Sequence, residues 1–205
     1  MLYSTALQIQ QTDFAEPEAN ATIEQLEQVL LYFDTHAEHE DSFILPHIQQ
    51  HNPQLIDELE KDHVIDHQLT QTLFDHIQAW KTAIQVDQKE SIGQRVFFAF
   101  NEFIAFNLYH MNKEENVLIQ LLWEHYTDEQ IHQMEGDILK SIPPQVLVAE
   151  SQWMMRSISN KEVTGWLSGI RQGAPEAVFN SFLKMAEAEL PSDRFTRVQT
   201  ALALA

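Results

Sequence analysis

Cysteine is absent from the 205-residue chain, which removes disulfides, iron–sulfur clusters, thiolate zinc sites and cysteine nucleophiles together. Glycine (5) and proline (7) are scarce, while Leu, Gln, Glu and Ala are plentiful, a balance that favours helices over sheets. Basic residues are few as well: 12 Lys and Arg stand against 31 Asp and Glu, for a formal charge of -19. Neither a nucleic acid nor an anionic lipid surface is therefore expected as a partner. The most apolar run, residues 96–106, is broken by Asn101 and Glu102 and is too short to span a bilayer. Residues 1–11 lack the basic region and long apolar core of a signal peptide, so a cytoplasmic location is expected. Serine–histidine–aspartate arrangements, the His-Glu-x-x-His zinc motif, phosphate loops and dinucleotide fingerprints are also missing.

What is present is helical periodicity, in three long segments. Ile23, Leu26, Leu30, Phe33, Ala37, Ile44 and Ile48 mark the face of the first, which Pro46 and Pro53 bracket at its exit. Ile56, Leu59, Val64, Leu73, Ile77, Trp80 and Ile84 mark the second; Val96, Phe100, Phe103, Asn107, Val117 and Leu121 mark the third, with Gly93 just ahead of it. Each has the length of a bundle helix. The pattern changes near Thr127, where Thr127 with Gln130 reads as a capping box; Ser159 with Glu162 is another, and Pro175 suits a first helical turn. The reading is all-α: an up-down bundle over residues 1–126, and four or five short helices over 127–205 packed on it. Trp153, Met154, Met155, Trp166, Phe179 and Met185 are expected as core of that second part.

All ten histidines fall between His36 and His132. His36 and Glu40 are four apart, as are His63 and His67, and His110 and Glu114. Residues four apart share one helix face, and all three pairs lie on the apolar stripes. Buried His and Glu are costly unless paired or bound to metal, and pairs from three helices can converge in a bundle core. Two of the pairs sit in an internal repeat: residues 36–45 and 110–119 both read His, three residues, Glu, a second acid, a small polar residue, then three apolar residues. A single His-x-x-x-Glu is more often a surface ion pair, but three on apolar faces point to a metal site. His39, His47, His51, His76, His125 and His132 are read as solvated or structural. Asp41 and Glu115 are read as outward-facing, with Glu115 an alternative to Glu114 as ligand.

These residues resemble the hemerythrin-like (HHE cation-binding) family, over about residues 1–126. In that family's pattern a His stands on the first helix, His-x-x-x-Glu on the second, one His or His-x-x-x-His on the third, and His with a carboxylate on the fourth. His36 and Glu40 match the second helix, His63 and His67 the third, and His110 with Glu114 the fourth; Glu40-Asp41 with Leu45-Pro46 resembles a stretch common in bacterial members. No histidine precedes His36, so the first-helix ligand has no counterpart, and residues 1–13 resemble the back half of a first helix, with the missing histidine either lost or upstream.

The resemblance implies iron, two per chain, with manganese or zinc as substitutes. Glu40 and Glu114 would bridge, His63, His67 and His110 would serve one iron, and His36 the other. Dioxygen, nitric oxide or peroxide is the implied small ligand, and the implied role is binding, sensing or storage. A ferritin-like di-iron oxidase or peroxidase is the alternative, for which Glu60 with His63 and Glu129 with His132 have the Glu-x-x-His spacing; a metal-free interaction bundle is another. A shortened first helix would leave an apolar groove for a homodimer partner to cover.

Overall fold

The computed structural model describes residues 1–204, and among them helices are the only regular structure. In chain order these are α1 (Leu2–Gln11), α2 (Ala19–His39), α3 (Leu45–Ile48), α4 (Pro53–Thr82), α5 (Val86–Lys113), α6 (Ile119–His125), α7 (Asp128–Ser141), α8 (Pro144–Ser157), α9 (Asn160–Gly173), α10 (Glu176–Glu189) and α11 (Ser192–Leu204). The chain divides into two compact units, Met1–Ile138 and the residues from Leu139 onward. No helix among the described residues is long and apolar enough to cross a membrane.

In the first unit α4 opens where Asn52 accepts a hydrogen bond from the Leu55 amide and Pro53 occupies the first turn. α1 runs beside the first half of α2, held by Gln25 to Thr5, Gln8 to Thr22, and Thr12 with Thr22. Those bonds end at Gln25, about three turns short of His36.

The apolar stripes build two separate clusters. One gathers Ile23, Leu26, Leu30, Leu73, Ile77, Trp80, Val96, Phe100 and Phe103, with Leu2 and Ile9 from α1. The other gathers Leu45, Ile48, Leu55, Ile56, Leu59, Leu118, Leu122 and Met134. Along α4 the buried residues run Leu59, His63, Asp66, Thr70, Leu73; along α5 and beyond they run Phe103, Asn107, His110, Glu114, Leu118. Each long helix thus passes from one apolar cluster through a polar layer into the other.

The second and third stripes depart from expectation at three residues. Val64, Ile84 and Val117 are exposed, and His63 and Leu118 are buried where Val64 and Val117 were expected. Ile84 lies in the connection between α4 and α5. Val117 falls in a π-helical turn, Glu114–Leu118, whose extra residue carries the stripe on by one position. A matching π-helical turn, Glu40–Ile44, follows α2. Gly93 sits inside α5 rather than ahead of it, and the Phe14 ring explains the missing side chain, since a Cβ there would meet it at 2.2 Å. Phe14 in turn caps the cluster edge-on to Trp80, whose indole N–H donates to the Phe14 carbonyl at 3.0 Å.

The second unit contains α8 to α11 around Met155, Val163, Leu167, Ala186, Leu190, Phe195, Val198 and Leu202. Both capping boxes form, Thr127 with Gln130 and Ser159 with Glu162. Met155 is fully buried, Trp166 and Phe179 pack against the cluster, and Met154 is exposed, against the expectation that all six large residues are core. Arg194 ties the end of α8 to the start of α9 through the carbonyls of Arg156 and Ile158 and the Asn160 side chain.

Candidate metal centre

The polar layer is built from four residues on three stretches of chain: Glu40 after α2, His63 on α4, His110 on α5, and Glu114 directly after it. Each offers one ligand atom, and these atoms lie within 4.8 Å of one another. His110 and Glu114 follow the four-residue spacing along one face; Glu40 and Glu114 each begin a π-helical turn. The internal repeat is therefore structural: both copies place a His on an α-helix, its Glu at the start of a widened turn, and apolar residues beyond it in the second cluster. Turns of this kind often mark functional sites.

The carboxylates divide their oxygens in the same way. Glu40 Oε2 lies 3.3 Å from His63 Nε2, and its Oε1 lies 3.5 Å from His36 Nε2. Glu114 Oε1 lies 2.6 Å from His110 Nε2, and its Oε2 lies 3.9 Å from His36 Nε2. Each carboxylate thus turns one oxygen toward an inner histidine and the other toward His36. The side chains of His63 and His110 are 4% and 5% exposed, whereas that of His36 is 45% exposed, on a part of α2 beyond the hydrogen bonds from α1.

Charge in this layer is strongly displaced. Burial lowers the His63 pKa, but the Glu40 and Asp41 carboxylates outweigh it and raise the value to about 9. His110 is raised as well, with Glu114 overcoming burial. Burial raises Glu114, but His110 and His36 outweigh that and leave it well below the usual carboxylate range. Deeper in the layer Asp66 accepts from Asn107 at 2.6 Å, and burial pushes its carboxyl up.

The donors fit a divalent cation. Glu40 Oε2, His63 Nε2 and Glu114 Oε1 are all buried without a well-aligned hydrogen bond, with only the close His/Glu contacts given above beside them. Unsatisfied buried groups cost roughly 1–3 kcal/mol each, and two carboxylates facing two imidazoles in an apolar bundle are an arrangement that bound cations would satisfy. Imidazole nitrogen and carboxylate oxygen suit iron, manganese or zinc.

Of the six residues expected as ligands, four converge and His36 flanks them. His67 stands apart: its side chain is 46% exposed, and its Nδ1 lies 2.7 Å from Asp34 Oδ1. Glu115 is exposed, as expected. Asp41 is not simply outward-facing: its Oδ1 accepts from His63 Nδ1 at 2.8 Å. Sequence reasoning also missed Asp62, whose Oδ2 meets His110 Nδ1 at 3.3 Å and Lys113 Nζ at 2.5 Å. The only available signal was the acid pair Glu40-Asp41, which does not indicate which ring nitrogen Asp41 meets. His51 and His125 stack at 3.7 Å with Tyr126 edge-on to His51, outside the cluster. His132, offered for a ferritin-like site with Glu129, is exposed and pairs with Glu135.

A helical bundle with a buried His/Glu cluster between its apolar layers defines a cation-binding bundle. The hemerythrin HHE cation-binding domain matches residues 5–122, more than half of the chain, and the chain belongs to that family. No curated protein and no solved structure matches it.

Proposed function

We propose that this protein holds a non-haem di-iron centre and uses it to bind a small oxidant or gas, dioxygen, nitric oxide or peroxide, as a carrier, sensor or store. The observation that carries the reading is the convergence of Glu40, His63, His110 and Glu114, with three buried ligand atoms left without well-aligned hydrogen bonds. The division of oxygens supports two metals rather than one, because each glutamate has one oxygen for the His63–His110 side and one for the His36 side. His67, which pairs with Asp34 outside the cluster, is not needed for this reading.

Iron held by Glu40, His63, His110 and Glu114 would supply a site at which a small diatomic ligand could be bound. The protein's part is to hold neutral imidazoles and two carboxylates in a water-poor layer. Half-exposed His36 leaves the outer position more open than the inner one. A cleft of about 390 Å³, lined by Asp41, Leu45, Ile56, Glu60, Val64 and His67 among others, reaches His63 from the surface and supports a route for a small ligand.

The test is anaerobic loading with ferrous iron followed by titration with dioxygen or nitric oxide, read by visible absorption. A carrier or sensor gives a saturable spectral change, reversed on degassing, with no continuing consumption. Sustained turnover of ferrous iron with peroxide would instead establish the oxidase reading.

A further inference from the structure

We infer that Asp41 and Asp62 are positioning residues of the centre, each fixing one inner histidine so that its Nε2 is turned toward the Glu40 and Glu114 carboxylates, where a cation would be held. This rests on the metal-centre reading above and adds residues to it that the ligand pattern does not contain.

A neutral imidazole carries one N–H, and whichever nitrogen donates it leaves the other with a lone pair for a cation. His63 and His110 each have Nδ1 against a carboxylate, Asp41 Oδ1 at 2.8 Å and Asp62 Oδ2 at 3.3 Å. A carboxylate can only accept there, so Nδ1 keeps the proton and Nε2 is the free donor. In both rings Nε2 is the atom that faces Glu40 or Glu114. A carboxylate behind a ligating imidazole also raises its basicity toward the metal.

The two clamps are built differently. Asp41 follows Glu40 in the π-helical turn Glu40–Ile44, and the two grip opposite nitrogens of His63. On a regular helix adjacent residues diverge by about 100°, so the widened turn is what lets both reach α4. In the second copy of the repeat the equivalent acid, Glu115, is exposed. Its place is taken by Asp62 from α4, whose Oδ2 is shared with Lys113. His63 is therefore backed by an unshared carboxylate and His110 by one partly neutralised.

Zinc ion, a diamagnetic probe for these donors, tests the assignment in the full chain. Affinity is read by chelator competition, and the imidazole N–H protons are read by NMR in the zinc-loaded protein. Asp41→Ala is expected to weaken zinc binding about 10- to 100-fold and to abolish the slowly exchanging Nδ1–H signal of His63, with helical content unchanged. Asp41→Asn, which keeps an acceptor but no charge, is expected to retain the signal and recover part of the affinity. Glu115→Ala is the control and is expected to change neither. Wild-type affinity together with a retained His63 signal in Asp41→Ala would overturn the inference while leaving the centre intact. Failure of the wild-type protein to bind zinc at all would overturn the centre and the inference with it.

Discussion

At the scale of single residues, the centre is a competition between protons and a cation. In the metal-free chain His63 is raised from 6.5 to about 9, so between those values it holds a proton that the unfolded chain has released. Its contribution to stability is fully present below 6.5 and lost as pH rises through about 9. Glu114 runs the other way: its lowered value adds stability above the ordinary 4.5, lost as pH falls through the depressed one. A metal needs His63 unprotonated, so its apparent affinity should rise with pH from neutrality to about 9, by roughly tenfold per unit for one displaced proton. Affinity measured across that range checks this; a flat profile would remove His63 from the ligand set. The four clustered residues were visible in the sequence because Glu40, His63, His110 and Glu114 belong to pairs at helical spacing, although His67, paired there with His63, stands apart. Asp41 and Asp62 were not, because their contacts cross between helices over 22 and 48 residues, and no local spacing encodes them.

At the scale of elements, periodicity located the long helices but not their irregular turns. A π-helical turn adds a residue without any local composition that announces it, so Val117 was assigned to a face that Leu118 occupies. The repeat was the visible trace of the two turns, but as a string it does not distinguish a widened turn from a regular one. Gly93 shows a similar limit: placed ahead of the helix by its residue type, it lies inside α5, where it is a glycine because Phe14 occupies the space of a side chain. Gly93→Ala should push the Phe14 ring away from Trp80 and cost about 1–3 kcal/mol, as overpacked cores do. Denaturant unfolding followed by tryptophan fluorescence measures both effects; unchanged stability would mean that Phe14 is free to move aside. The variant should leave metal content unaltered, since Gly93 abuts Phe14 of the apolar cluster around Trp80 and not the polar layer.

At the scale of the whole molecule, the first unit is a polar layer between two apolar clusters, with buried acids and histidines in a chain already at -19. Such a layer is costly when empty of cation and stabilising when it holds one. Metal at 100 times its dissociation constant should add about 2.7 kcal/mol to folding, which for a domain of this size raises the melting temperature by roughly 5–10 °C. Calorimetry with and without a chelator checks this, and equal melting temperatures would mean that the layer is stable on ion pairs alone.

The most direct test is iron per chain, measured by elemental analysis on protein expressed with added iron and purified without chelators, beside the Glu40→Ala/Glu114→Ala double variant. The expected result is about two irons per wild-type chain and almost none in the variant, which lacks both carboxylates of the cluster. Iron-free wild-type protein, or a variant that keeps the wild-type content, would contradict the assignment of this polar layer as a metal centre.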